Sequence, residues 1–378
     1  MVVNLWHLIP FMQRNHINLV LDRYEPFTTI AAWLLRIPHI CLADTEHAAK
    51  ICQPLMNMAS VVLLPLCFWY PTRKDAIRFA GNIELFYIHN KEYTPKAPWQ
   101  LLGIKPNTRY ALVRFVKWDA YHDTKLVGGF SLAQKEELIQ RISQHVRVFI
   151  SSETALPASL EQYRVHVPIE RMHDVQAHAA LFVGESSTMA SESVCLGTPA
   201  IYVDEIGRGY TDEEARAGLL WMYRPYLCRI KEQPTHWDVA NAWKPIEPYK
   251  DSEGYEPWWI SGGIEEAIKQ AEYIVSPQFD QDAWQQRYQQ WISTKIDPTA
   301  WLTWFIENYP TSAEECKKAD FDYQGKKFMK QIEKAGKIAK FALILGENEI
   351  TNNEVSIKNL ATAEQKTVKL QDFLNFFY

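Results

Sequence analysis

The chain has 378 residues, 47% of them hydrophobic and 22% charged, with a formal net charge of -5. That is enough chain for two core-bearing domains of a globular protein, and the acidic balance gives no global attraction to nucleic acid or to anionic membranes. No run approaches eighteen uninterrupted apolar residues, the N-terminus lacks the pattern of a secretory leader, and the six cysteines form no C-x-x-C pair; together these predict a cytoplasmic protein with reduced thiols, no membrane span and no structural metal.

From residue 17 on, short apolar runs alternate with segments of helical period: "INLVLD" (17–22), "FTTIAAWLLR" (27–36), "HICLAD" (39–44), "TEHAAKICQPLMNM" (45–58) and "SVVLLP" (60–65). Continuous rather than alternating apolar runs indicate strands buried on both faces of a parallel sheet. About three strands are counted here, too few to cover a sheet's faces and edges, so the first domain, residues 1–95, is expected to be incomplete, with an upstream segment missing. Prolines and polar residues at 91–109 mark the junction with a second domain.

That domain, residues 96–322, carries predicted strands "YALVRFV" (110–116), "VRVFISS" (146–152), "YRVHVP" (163–168), "LFVG" (181–184) and "AIYVD" (200–204), interleaved with helices such as "SLAQKEELIQRIS" (131–143) and "MHDVQAHAA" (172–180). Residues 223–263, rich in Pro, Trp and Tyr without a period, read as an inserted ordered loop. Three helices follow, within 263–275, 281–293 and 297–310. The fold class is therefore α/β, two Rossmann-like doubly wound domains facing each other across a cleft, with a small α/β tail over residues 323–378.

The most informative stretch is "LFVGESSTMASESVCLGTPAIYVD", residues 181–204. A strand, a glycine turn and a helix aim backbone N–H groups and the positive end of a helix dipole at one spot, which favours a phosphate. Ser186, Ser187 and Thr188 can cap that helix and give hydroxyls to the same anion. Glu192, four residues beyond Thr188, lies on the same face one turn further in, where a carboxylate suits the vicinal hydroxyls of a ribose. The plainer reading is a capped helix with a solvated Glu192.

At this motif the sequence resembles the C-terminal domain of GT-B glycosyltransferases and of UDP-N-acetylglucosamine 2-epimerases, and more closely domain-of-unknown-function family 354. The resemblance rests on "RIPHICLADTEHA" (36–48), "YALVRFVKWDAYHD" (110–123), "RVFISSE" (147–153), the stretch 172–204 and "KIDPTAWLTWFIENYP" (295–310), in order over roughly the first 310 residues. It implies a GT-B-like protein that takes a nucleotide-sugar, a UDP-sugar, as substrate and transfers or epimerises the sugar, with no separate cofactor. It also implies nucleotide contacts from Gly184, Ser186, Ser187, Thr188 and Glu192. Family members usually begin with a further strand-rich segment, which puts activity of the chain in doubt.

Asp44, Glu46 and His47 stand at the C-terminal end of a predicted strand, the edge at which doubly wound sheets bind ligands. By the same resemblance that edge faces the cleft, with His47 or Asp44 acting as base or acid on the sugar; helix capping by Asp44 or Thr45 is an equal alternative, and a metal site is weaker. Arg114 and Lys117, at the end of the second domain's first strand, suit a diphosphate, and Trp118 and His122 follow them. Asp174 reads as a helix-terminal partner, with His173 beside it a lesser candidate for base contact. Trp243, Trp258 and Trp259 read as anchors of the insertion or sugar-stacking rings. Arg208 and Tyr210 read as closing over the ligand, or Thr211 with Glu214 as a helix cap.

The tail differs in kind. "KKFMKQIEKAGKIAKFALILGENEI" (326–350) and "VSIKNLATAEQKTV" (355–368) resemble the closing part of the anticodon-binding domain of histidyl-tRNA synthetases, read as helix, strand, turn, a hairpin-like strand pair and a short helix. From Tyr323 on, nine Lys face six acidic residues, a local charge of +3 against -8 for the remainder. That asymmetry suits a tRNA-facing patch. The front of the domain and every catalytic motif of the synthetase are missing, so aminoacylation is excluded and an accessory tail that touches no RNA is the favoured expectation. The alternative function is thus a non-enzymatic binding module or fusion remnant with an RNA-associated tail.

Overall fold

The structure, a computed structural model, describes residues 2–68, 72–89, 91, 93–116, 129–152, 155–204, 207–223, 260–319, 341–344, 354–359 and 365–369. Its contacts divide the chain into two units, Met1–Trp304 and Phe305–Tyr378.

The first unit holds two parallel sheets. One lobe runs α1 (Val2–Arg14), β1 (Val20–Asp22), α2 (Pro26–Leu35), β2 (His39–Leu42), α3 (Glu46–Met58), β3 (Val61–Pro65), β4 (Ile77–Phe79) and α4 (Leu85–Ile88). Its strands pair in simple sequence order, β1-β2-β3-β4, all parallel. The fourth strand is an addition to the three counted in the sequence. Its three residues have Arg78 at the centre, too short and too polar at its middle to stand out as a buried run. Helix α2 starts where Glu25 accepts from the Thr28 amide at 2.7 Å with Pro26 in the first turn, and it stops at Arg36, whose left-handed φ of 56° ends the helix.

The second lobe runs β5 (Tyr110–Phe115), α5 (Leu132–Ile142), β6 (Arg147–Ser152), α6 (Met172–Ala177), β7 (Leu181–Gly184), α7 (Ser187–Cys195), β8 (Ala200–Val203), α8 (Gly209–Arg216), β9 (Leu220–Tyr223), β10 (Ile260–Gly262), α9 (Ile264–Val275), α10 (Gln281–Ser293) and α11 (Pro298–Glu307). Its order is β10-β9-β8-β7-β5-β6, parallel throughout. Strands β9 and β10 were not read from the sequence; β9 ends where the inserted loop was expected to begin, and β10 lies inside the stretch 223–263 that was read as loop, pairing with β9 at Ile260 and Gly262. The expected strand over 163–168 is instead an extended stretch with a single bridge, Arg164 to Ile150, and one bond from the Val165 amide to the Ile150 carbonyl at 2.9 Å. It lies beyond the edge strand β6, and Pro168 offers no amide to continue a ladder.

Both faces of this sheet are covered, which is why its strands read as continuous apolar runs. Ala111, Val113 and Phe115 of β5 pack with Leu138, Ile139 and Ile142 of α5 and with Ile264, Ala267 and Ile268 of α9. On the other face Tyr110 and Leu112 join Phe182, Val194 of α7 and Trp284 of α10, whose indole N–H reaches the Leu219 carbonyl at 3.2 Å. The indole is thereby buried without an unmet donor.

In the second unit α12 (Thr311–Ala319) precedes an antiparallel three-stranded sheet of β11 (Phe341–Ile344), β12 (Glu354–Asn359) and β13 (Gln365–Lys369). β12 and β13 are the strand pair read from the sequence. Ser356 and Thr367, opposite each other, share a hydroxyl hydrogen bond of 2.7 Å, and Ile357 is buried. The helices expected before β11 and at the chain end lie outside the described residues.

Among the described residues no helix is long and apolar enough to cross a membrane, and no three His, Cys, Asp or Glu side chains are grouped to hold a metal ion. Leu112 makes the burial testable: Leu112→Ala should cost about 2–5 kcal/mol of unfolding free energy, read as a lower denaturant midpoint at unchanged slope.

Candidate functional site

Strand β5 has β6 on one side and β7 on the other, so the order of the second sheet reverses between β5 and β7. Outside the carboxyl ends of the strands at such a reversal a crevice opens, because the connections on either side run to opposite faces. The turn after β7 stands there. Gly184 fills it tightly: a Cβ would lie 2.8 Å from the Phe182 ring and 2.9 Å from the Arg114 Cβ. The glycine is therefore required by close approach and not by an unusual φ.

The five residues of the turn divide their work. Glu185 is turned inward, its carboxylate accepting from the Val116 amide at 3.0 Å and the Phe130 amide at 2.7 Å. Burial raises its pKa, with Lys135 and the two amides opposing. It braces the end of β5 and the start of α5, a structural role that its polar neighbours conceal in the sequence. Ser186 is the N-cap of α7, accepting from the Met189 amide at 3.3 Å. Ser187 Oγ accepts from the Tyr210 hydroxyl at 3.2 Å, and Thr188 is exposed at the mouth. The first turn of α7 thus presents two serine hydroxyls, a threonine hydroxyl and the N-terminal amides of a helix together.

Glu192, on the same helix, is buried and held from three sides. Its Oε1 accepts from the Tyr87 hydroxyl at 2.9 Å and lies 3.2 Å from His173 Nε2, while its Oε2 accepts from Gln176 Nε2 at 3.1 Å. The Tyr87 and His173 rings meet at 5.5 Å between centroids. The reading of a solvated Glu192 is thereby corrected: packing against α4 and α6 supplies it with donors. Arg114, expected on the same ligand, donates to Ser151 Oγ of β6 at 2.8 Å. Lys117, Trp118, His122, Trp243, Trp258 and Trp259 lie outside the described residues.

The residues after β2 reach the same neighbourhood through Tyr210, which donates to Ser187 of α7 and feels the charge of Asp44. Asp44 is buried and paired with Arg23, and it accepts from the Thr45 hydroxyl at 2.8 Å. Thr45 holds the N-cap position of α3 without a side-chain cap bond, so capping does not account for either residue. His47 lies in the first turn of α3, and its side chain is outside the described residues. Between the lobes runs a seam of carboxyls that the sequence did not single out as a group. Glu46 accepts from the Gly209 amide at 3.0 Å, and Glu214 accepts from Asn82 Nδ2 at 2.9 Å and Ser191 Oγ at 2.6 Å. Burial pushes Glu46 up to about 7, Glu84 up to about 8 and Glu214 well above its ordinary value.

Two further candidates resolve into scaffold. Thr211 Oγ1 accepts from the Arg208 amide at 2.9 Å, the helix-start duty expected of it, whereas Glu214 faces Asn82 and not the cap. Asp174 receives the Tyr93 hydroxyl, the Arg171 guanidinium and, at 2.7 Å, the Lys96 amide. Burial opposes its ionisation, but these donors outweigh burial and hold its pKa below the ordinary range.

Against solved structures, the chain is similar to a Listeria monocytogenes protein provisionally named a UDP-N-acetylglucosamine 2-epimerase, at 11% identity and a TM-score of 0.50, over 76% of this chain and 73% of that one. This is a likeness of fold: two parallel-sheet α/β lobes of the GT-B kind. A family model described as an anticodon binding domain matches residues 313–377. Within that region the chain is 36% identical over 61 residues to a Staphylococcus aureus histidine–tRNA ligase, and 40% identical over 60 residues to that of Macrococcus caseolyticus. In each case the match spans 16% of this chain and 14% of the relative's length.

The glycine at the reversal gives a direct test. Gly184→Ala should cost about 1–3 kcal/mol through overpacking against Phe182 and Arg114, seen as a lowered melting temperature.

Proposed function

We propose that the chain binds a nucleotide-sugar of the UDP-sugar class at the turn after β7 and, with it bound, transfers or epimerises the sugar. The observation that carries this reading is the meeting, at the point where the sheet order reverses, of a capped helix N-terminus with a carboxylate one turn further in. The first turn of α7, with Ser186, Ser187 and Thr188, receives the diphosphate. Glu192, prealigned by Gln176 and His173, accepts from the ribose hydroxyls, and Tyr87 must yield its place on Oε1 for a second hydroxyl to bind. The likeness of fold to a protein named as a UDP-N-acetylglucosamine 2-epimerase supports the same ligand class.

Proton chemistry on the sugar falls in this reading to Asp44 or His47. Asp44 is ion-paired with Arg23, which suits a carboxylate held in a fixed orientation beside a ligand. Arg114 and Lys117 serve the diphosphate in the same proposal, Arg114 by leaving Ser151. No cofactor beyond the nucleotide-sugar enters it.

A second reading is favoured by the match of residues 313–377 to an anticodon binding domain: a binding module whose basic tail contacts tRNA. The two separate cleanly in titration. The full chain should bind UDP saturably, and Glu192→Ala should weaken it at least tenfold, about 1.4 kcal/mol, with Glu192→Gln as the control of equal size; equal affinity in all three proteins removes the ribose assignment. Removal of residues 323–378 should leave UDP affinity unchanged. A salt-dependent tRNA affinity that disappears with that removal would instead give the tail its own ligand.

A further inference from the structure

The seam between the lobes contains an electrostatic imbalance that the nucleotide reading does not use. Four polar atoms along it are buried without a hydrogen-bond partner: Glu46 Oε2, Asn82 Oδ1, Glu84 Oε2 and Glu214 Oε2. All four residues are at most 2% exposed. Three come from the first lobe, Glu46 on α3 and Asn82 and Glu84 in the turn between β4 and α4, and one, Glu214, from α8 of the other lobe, so these unmet oxygens follow the contact between the lobes. An ionised carboxylate offers four acceptor positions and tolerates burial only when cations or donors meet them. A protonated carboxyl needs far less.

The charges facing each group decide which form the closed seam holds. Glu46 faces the Gly209 amide, Arg208 and Asp44. Glu84 faces Asp44, Glu192 and Arg23, and is felt by Tyr87, Tyr210 and Cys195. Glu214 faces Ser191, Asn82, Glu84, Glu213 and Lys295. Two of the cations are committed elsewhere, Arg23 to Asp44 and Lys295 to Glu213 at 2.6 Å, while Arg208 stays beside Glu46 and opposes the rise that burial imposes on it. Closure therefore takes Glu46, Glu84 and Glu214 away from water and adds acidic neighbours around Glu84 and Glu214, with Arg208 offsetting part of the effect at Glu46.

We propose that the carboxyl seam of Glu46, Glu84 and Glu214 is a pH-sensitive latch, which holds α3 and the β4–α4 turn against α7 and α8 at neutral pH and parts them in alkali. The direction follows from linkage. These carboxyls hold their protons more tightly closed than in water, so the closed state binds more protons, and closure weakens as pH rises. The latch is complete below the ordinary glutamate range and is lost as pH climbs through about 7 for Glu46 and about 8 for Glu84. The Gly209 amide is its gauge, because it is protected by Glu46 only while the lobes touch.

The proposal stands apart from the nucleotide assignment and is tested without a ligand. Amide hydrogen exchange of the full chain, corrected for the intrinsic pH dependence of exchange, is followed by mass spectrometry from pH 6 to 9.5. Peptides covering α3 and α8 should lose at least tenfold protection between pH 7 and 9, while those covering β5 stay unchanged. The triple variant E46Q/E84Q/E214Q, which mimics the protonated seam, should keep its protection across the range. Should the triple variant fail to fold, E84Q alone should make the loss shallower and move it to higher pH. Protection in the wild type that is flat with pH, or a loss that the Gln variants share in full, overturns the latch.

Discussion

The contact on which the arrangement of the two sheets depends is the meeting of α3 with the start of α8. The Gly209 amide donates to Glu46, and a Cβ at position 209 would fall 2.2 Å from the Cys67 carbonyl oxygen and 2.3 Å from the Glu46 carboxylate. Nothing larger than glycine fits without separating the lobes. This closeness dries the seam, and dryness in turn raises Glu46, Glu84 and Glu214. The polar pairings from one lobe to the other, Asn82 with Glu214 and Tyr87 with Glu192, lie along the same line. The candidate site and the closure of the molecule are thus one electrostatic system.

Within that system the lobes contribute unequally. The second sheet reverses its strand order and so has a crevice; the described strands of the first follow one another without reversal. The groups that suit an anion and a diol sit together on α7. The first lobe supplies Asp44 and, through α4, the Tyr87 hydroxyl that lies on Glu192. Gln176 and His173 hold that carboxylate from α6, so its geometry is set before any ligand arrives.

Much of the fold was legible because burial on both faces writes itself into a strand as an unbroken apolar run. "YALVRF", "LFVG" and "AIYV" became β5, β7 and β8. Short elements failed for the converse reason: β4 has only three residues, and "YRVHVP" has strand composition but lies outside the sheet edge with a proline at its end. The turn at Gly184 was legible as a motif, since its parts are adjacent in sequence. Its supports were not, because Tyr87 stands 105 residues from Glu192 and Glu46 stands 163 from Gly209. Glu84, set among apolar neighbours in "NIELFYI", gave no sign that it would be enclosed with other acids.

The reversal of strand order also bears on how the chain acquires its structure as it is made. In the first lobe each new strand pairs with the one made just before it. Ordering therefore proceeds outward along one edge, with short loops to close. In the second, β5 receives β6 on one side but keeps its other edge, Ala111 to Arg114, unpaired until β7 emerges about seventy residues later. For that interval an apolar strand destined for the centre of the sheet is an open edge in the nascent chain. The polar helix α5 between β5 and β6, bearing Lys135, Glu136, Glu137 and Arg141, is the first element able to shield a face of it.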